Sequence, residues 1–101
     1  MKDNKNFKIE LLQIISDIEN DNVDAVISFD DASSYAVTFF TIKNIQSIMD
    51  RYRDTDECLA GSFFWASSMV VLKDLSSNTI SQTVRELVHT DEYLAAFKRI
   101  S

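Results

Sequence analysis

The sequence predicts an α+β fold, with a mainly antiparallel sheet of three or four strands and helices packed mainly on one face. Three segments have the alternating or continuously apolar pattern of β-strands, and other apolar residues recur at helical spacing behind capping residues. The predicted element order is α-β-β-α-β-α-α, in a single domain spanning residues 1–101.

A first helix is predicted over residues 6–19, because apolar side chains recur there every three or four positions. These residues are Phe7, Leu11, Ile15 and Ile18. Two strands follow, over residues 23–29 and 35–41, in which apolar residues alternate with polar or smaller ones. Residues 30–34 between them are rich in Asp and Ser, which turn a chain without glycine. The two strands are therefore predicted to form an antiparallel hairpin with one apolar and one mixed face.

A second helix is predicted over residues 42–53, capped by Thr41. Its buried stripe consists of Ile42, Ile45, Ile48, Met49 and Tyr52. Residues 54–60 are predicted to be a polar connection. Residues 61–75 contain the only Gly, the only Trp and the longest apolar run, and both faces of an extended chain would be apolar there. This pattern predicts the middle strand of the sheet. For Trp65, packing in the core is favoured over a role as a binding hot spot.

Two helices are predicted near the C-terminus. The first is capped by Ser76, with Leu75 and Ile80 as a hydrophobic staple. Its inward face consists of Ile80, Val84, Leu87 and Val88. The last helix is predicted to start at a Thr90 cap, with acidic residues in its first turn and Lys98 and Arg99 in its last turn, which matches the helix dipole.

The sequence contains no pattern that favours secretion or a membrane span. The first ten residues lack the apolar core of a secretory signal, and the longest apolar run, residues 62–72, is about half of a membrane-spanning helix. The single cysteine, Cys58, is consistent with a reducing compartment. We therefore expect a cytoplasmic protein without membrane contact.

Negative charge is concentrated in one interval of the chain. The 101 residues contain 16 acidic and 10 basic residues, for a net charge of −6, yet no Lys or Arg lies between Lys8 and Lys43. The acidic residues of this interval are Glu10, Asp17, Glu19, Asp21, Asp24, Asp30 and Asp31. Such a region disfavours direct binding of nucleic acid, which needs a basic footprint. It is typical either of a solvated face or of a surface that attracts a basic partner.

The predicted hairpin combines these charges with aromatic residues. Asp30 and Asp31 lie at its tip, Asp24 lies on its mixed face, and Phe29 and Tyr35 flank the turn. Acidic residues accelerate encounter with a basic protein, and aromatic residues hold it afterwards. The predicted partner-binding residues are therefore Asp24, Phe29, Asp30, Asp31 and Tyr35.

Few residues are available for catalysis or for a cofactor. Cys58 and His89 are the only residues of their types, and the acidic residues that precede Cys58 disfavour a thiolate. Structural zinc needs about four Cys or His ligands, and phosphate-binding loops need more than one glycine. We therefore expect no enzyme activity, metal or cofactor, and a small Cys–His enzyme is the weakest alternative.

The acidic composition, the length, the lack of catalytic groups and the block GSFFWASSMVVLKDL at residues 61–75 resemble bacterial toxin-immunity proteins. These are the immunity proteins of contact-dependent growth inhibition and related polymorphic toxin systems. The resemblance implies a protein that neutralises a cognate toxin, often a basic nuclease, by covering its active site. The alternative is a small regulatory module or a homodimer joined through a sheet edge or an exposed aromatic face.

Overall fold

The computed structural model describes residues 5–101. Its elements in chain order are β1 (Phe7–Leu11), β2 (Asn22–Phe29), β3 (Ser34–Thr41), α1 (Ile42–Thr55), α2 (Glu57–Gly61), β4 (Met69–Leu72), α3 (Ser77–His89), α4 (Tyr93–Ala96) and β5 (Lys98–Arg99). The predicted α+β fold with a mainly antiparallel sheet is confirmed. The order of elements differs from the prediction at three places.

The sheet is organised around β2 and β3. Strands β1, β2 and β3 are neighbours in that order and pair antiparallel, so the predicted hairpin is confirmed. The other side of β3 is shared by two strands. Residues 38–41 of β3 pair with β4 in parallel, and Tyr35 and Ala36 pair with β5 antiparallel.

The core lies on one face of this sheet, beneath α3 and α4. Alternate residues of β2 and β3 point into it, and Val23, Ile27 and Phe39 are fully buried. The helices contribute Ile80, Val84, Val88 and Tyr93 to the same core. As predicted, Ser76 caps α3 by accepting a hydrogen bond from the Thr79 N–H at 3.2 Å, and the staple residues Leu75 and Ile80 are both buried.

The prediction of a helix over residues 6–19 is wrong. Residues 7–11 form β1, in which Phe7 and Ile9 pack on the core and alternate with exposed Lys8 and Glu10. The apolar residues of this stretch fit both a helical and a strand period. Pairing with residues 25–29 of β2 favours the strand. The rest of the predicted helix, residues 12–19, belongs to a loop without regular structure that continues to residue 21.

Residues 61–75 do not form the middle strand. Only Met69–Leu72 is a strand, and it lies at an edge of the sheet. Residues 62–68 instead run over the sheet face opposite α3, where Phe64 packs edge-on against Phe40 with 5.2 Å between ring centroids. Trp65 is 70% exposed, so its predicted place in the core is also wrong.

The predicted last helix is also wrong in extent. Thr90 ends α3 rather than capping a new helix, α4 is one turn long, and Lys98 and Arg99 form β5. Pairing with β3 prevails here over the helix-dipole pattern, because it satisfies backbone groups at the edge of the sheet.

Helices α1 and α2 pack mainly against each other. Thr41 caps α1 as predicted, accepting from the Asn44 N–H at 3.2 Å, but Ile42 of the expected buried stripe is 63% exposed. The predicted polar connection contains α2, a left-handed turn in which Cys58, Leu59 and Ala60 have φ between 49° and 57°.

Candidate functional site

Most of the acidic interval gathers at one end of the sheet. β1 ends there at Leu11, β2 begins at Asn22, β3 ends at Thr41 and β4 ends at Leu72. The acidic residues at or next to this end are Glu10, Asp17, Glu19, Asp21, Asp24 and Asp74, and the nearby basic residues are Lys43 and Lys73. In the described part of the chain, none of these six carboxylates forms an ion pair. The formal charges of these eight residues sum to −4.

The loop of residues 12–21, called here the acidic loop, is fixed to three strands or strand ends by backbone hydrogen bonds. Leu12 N–H donates to Asp24 C=O at 2.9 Å, Thr41 N–H donates to Asp21 C=O at 3.2 Å, and Leu75 N–H donates to Ile18 C=O at 2.7 Å. The loop is thus held at its beginning, near its middle and at its end. Its exposed side chains are presented on a fixed backbone.

Carboxylates of the loop also order it internally. Asp21 Oδ2 accepts from the backbone N–H of Ser16 at 2.9 Å and from its hydroxyl at 3.1 Å. The backbone hydrogen bond from Ser16 is the main reason that the pKa of Asp21 lies below its ordinary value. Asp17 accepts from the Glu19 N–H at 2.9 Å. Asp21 is thus a structural residue, whereas the Glu19 side chain is exposed to solvent.

Large apolar side chains lie exposed among these charges. Ile14 is 95% exposed, Leu12 53% and Ile18 49%. Trp65 is 70% exposed and follows Phe64, which packs on Phe40, the partner of Asn22 in β2. Sequence reasoning assigned all of these side chains to the core. Exposed aromatic and aliphatic residues ringed by charge are typical of protein-binding surfaces.

Asp24 belongs to this acidic end and lies on the sheet face opposite α3. Its carboxylate accepts from the Thr38 hydroxyl at 2.6 Å and from the Gln13 amide at 3.0 Å, and its N–H donates to Gln13 Oε1 at 2.7 Å. It also lines a shallow groove of about 330 Å³ together with Leu12 and Ser68. Asp24 remains exposed, although its carboxylate is oriented by neutral donors.

The other four predicted binding residues meet at the opposite end of the sheet. Phe29, Asp30, Asp31 and Tyr35 line one cleft of about 560 Å³. Asp30, just beyond the end of β2, is six positions after Asp24, a distance of about 20 Å at the rise of an extended chain. The structure therefore brings four of the five predicted residues together and leaves Asp24 apart.

The aromatic residues of this cleft belong largely to the core. Phe29 and Tyr35 are 9% and 6% exposed, and their rings lie edge to face with centroids 5.6 Å apart. Each also contacts the ring of Tyr93 at 5.3 Å between centroids. Because both rings are packed inside the protein, little of either is available to a partner.

The charges of this cleft are mixed. Asp31 accepts from the Ser33 hydroxyl at 2.5 Å and from its N–H at 2.9 Å, and these bonds, helped by nearby Arg99 and Lys5, lower the pKa of Asp31. Lys5 donates to the Tyr93 hydroxyl at 3.0 Å, a contact that raises the pKa of Lys5. The hairpin tip is consequently less negative than the sequence alone suggests.

Cys58 and His89 belong to separate parts of the fold. Cys58 lies in α2, which packs on α1, whereas His89 ends α3 and lines a groove beside β1. Among residues 5–101, no group of three or more His, Cys, Asp and Glu side chains is arranged to hold a metal ion. No described helix is both long and apolar enough to cross a membrane.

Comparison of the chain with protein-family models, with curated proteins and with solved structures gave no significant match. The function is therefore inferred from the residues of this chain. The feature that distinguishes the surface of the protein is the acidic loop, with exposed Leu12, Ile14 and Ile18 between carboxylates.

Proposed function

We propose that the protein is an immunity protein, which binds and neutralises a basic toxin enzyme, most simply a nuclease, by covering its active site. The observation that carries the proposal is the acidic loop, a negatively charged segment with exposed apolar side chains on a backbone fixed at three points. A nuclease active site is a basic cleft built for phosphates, and carboxylates occupy such a cleft as substrate mimics.

The division of work within this surface follows from exposure. Glu19 and Asp17 supply the field that steers encounter, since neither is neutralised by a described cation. Ile14 and Trp65 supply apolar area, because they are 95% and 70% exposed and lose the most water on docking. The fixed backbone lowers the conformational entropy lost on binding, which favours affinity.

The acidic loop is a stronger candidate for the contact than the hairpin tip. Asp31 lies near Lys5 and Arg99, which offset its charge, and Phe29 and Tyr35 are buried. We therefore assign the primary contact to the loop. Contact through Asp30 and Asp31 at the hairpin tip is the alternative, and the two variants described below distinguish it from contact through the loop.

The test uses the C-terminal domain encoded by the neighbouring reading frame as the binding probe. Its nuclease activity and its affinity for this protein are measured together. We expect stoichiometric inhibition, and an association rate that falls about tenfold or more between low and high salt, as steered encounters do. A probe that neither binds nor is inhibited contradicts the proposed function.

Two matched variants locate the surface. Asp17→Asn/Glu19→Lys changes the charge of the loop by +3 and keeps an oxygen at position 17 to accept from the residue 19 N–H. Asp30→Lys/Asp31→Asn makes the same charge change at the tip and keeps the acceptor for Ser33. We expect the loop variant to weaken binding at least tenfold and the tip variant to weaken it much less. The reverse order would transfer the contact to the hairpin tip.

A further inference from the structure

The outer edge of β1 is unpaired in the described chain. β1 is the first strand of the sheet and pairs only with β2. Asn6 C=O accepts from Asp30 N–H, and Leu12 N–H donates to Asp24 C=O. In an antiparallel pair, backbone groups point alternately toward and away from the neighbouring strand. The N–H and C=O groups of Phe7, Ile9 and Leu11 therefore point outward, along the free edge.

The side chains of this strand are arranged in two sets. Phe7 and Ile9 pack toward the core face, where grooves of about 660 Å³ and 280 Å³ separate β1 from α3. Lys8 and Glu10 lie on the opposite face and are exposed. A free edge of this length is a template for another strand unless charges oppose the pairing. The positions of Lys8 and Glu10 decide which partner this edge accepts.

The sequence of β1, FKIEL, is complementary to itself. A twofold axis through Ile9, perpendicular to the sheet, places Phe7 opposite Leu11 of the second copy, Ile9 opposite Ile9, and Lys8 opposite Glu10. All outward backbone groups of residues 7, 9 and 11 then find partners, which makes six hydrogen bonds. Each lysine meets a glutamate, and opposite charges across strands stabilise the pair.

The neighbouring registers are disfavoured by the same charges. Moving the axis to residue 8 keeps the backbone parity but places Lys8 opposite Lys8. Moving it to residue 10 places Glu10 opposite Glu10. Like charges directly opposite each other destabilise a strand pair. The edge is therefore complementary to a second copy of itself in a single antiparallel register.

We propose that the protein forms a homodimer by antiparallel pairing of β1 with β1 of a second copy, about a twofold axis at Ile9. The interface is isologous, as closed twofold dimers require. Five residues from each copy bury less than the about 1,200 Å² of a standard interface, so we expect a dissociation constant on the order of micromolar. The dimer carries two copies of the acidic loop, and the inference does not depend on the proposed function.

The oligomeric state of the full chain is measured by sedimentation equilibrium at protein concentrations from the low micromolar to the submillimolar range. We expect a reversible monomer–dimer equilibrium. Lys8→Glu places two repulsive pairs in the interface of the homodimer and should weaken it roughly 10- to 100-fold. Glu10→Lys should do the same. A wild-type protein that stays monomeric over the whole range overturns the proposal.

Mixing the two variants provides the decisive measurement. Lys8→Glu presents two glutamates and Glu10→Lys presents two lysines, so a one-to-one mixture should form a heterodimer at low micromolar concentrations, at which each variant alone is mostly monomeric. The matched controls are Lys43→Glu and Asp54→Lys, two exposed positions of α1 with the same charge changes. Circular dichroism establishes that all variants are folded. Unchanged dimerisation of the single variants, or no recovery in the mixture, would rule out this register.

Discussion

Gly61 is a position outside the core at which an added side chain would collide with backbone. Its φ is +84°, and a Cβ placed on it would lie 2.2 Å from the Met49 carbonyl oxygen and 3.3 Å from Arg53 Cγ. The first neighbour is backbone in the middle of α1, so it cannot rotate away as a side chain would. Gly61→Ala therefore forces α2 off α1 or distorts α1 itself.

The energetic cost of this substitution has two parts. Holding alanine at positive φ costs about 1–2 kcal/mol, and forcing extra volume into a close contact costs about 1–3 kcal/mol. The smaller conformational freedom of alanine in the unfolded chain returns about 0.4–1 kcal/mol. We expect Gly61→Ala to lower the free energy of unfolding by about 1–4.5 kcal/mol, and the upper part of this range is a large fraction of a small domain's stability.

Urea unfolding monitored by circular dichroism measures this loss, and Ala60→Gly is its control. Ala60 has φ of 57° and is exposed, so glycine there relieves strain and should leave stability unchanged or raise it by up to about 1 kcal/mol. If Gly61→Ala cost less than about 0.5 kcal/mol, the close approach of α2 to α1 would be wrong.

Three further predictions test other parts of the structure. Asp21 has a lowered pKa in the folded state, so its contribution to stability is complete above the ordinary carboxyl pKa of about 4 and is lost as the pH falls through the lowered pKa. Asp21→Asn should therefore reduce the loss of stability in acid, measured by urea unfolding between pH 6 and pH 2. An unchanged dependence of the free energy of unfolding on pH would contradict this. Thr41→Ala should destabilise the protein by about 1 kcal/mol in the same assay, because the Asn44 N–H loses its cap; no change would mean that the cap contributes nothing. Trp65 should fluoresce like an exposed indole in the native protein, with little shift on unfolding, whereas a strongly blue-shifted native emission would place it in the core.

Local signals made the hairpin and two helices predictable. The caps Thr41 and Ser76 act within three residues of their partners, and the staple of Leu75 with Ile80 lies within one turn of α3. Such interactions join residues that are close in sequence, so a short segment is enough to predict them. The apolar alternation of β2 likewise identified its buried face.

The missed elements depend on contacts between distant segments. Residues 6–19 satisfy a helical spacing, but pairing of Ile9 with Ile27 decides for a strand. Residues 61–75 are apolar on both faces, a pattern that does not distinguish a central strand from an edge strand preceded by an exposed segment. Lys98 pairs with Ala36 across the sheet, and nothing near it in the chain signals this.

The candidate site was predictable in composition and not in arrangement. The acidic interval was evident from the sequence, and the separation of Asp24 from Asp30 follows from the length of an extended strand between them. The exposure of Ile14 and Trp65 did not follow, because large apolar residues are most often buried. The candidate surface depends on residues 12–21 lying outside any helix, and the helical spacing of their apolar residues indicated the opposite.

Strand β3 has one neighbour on one side and two successive neighbours on the other, and this arrangement governs how the protein folds. The β2–β3 hairpin is local and closes early, on the microsecond timescale of hairpins. β4 and β5 must then arrive from about 30 and about 60 residues further along the chain, and closing such long loops slows folding. Until they do, the backbone groups along that edge of β3 are unpaired and can pair with another chain. Refolding yield should therefore fall as protein concentration rises.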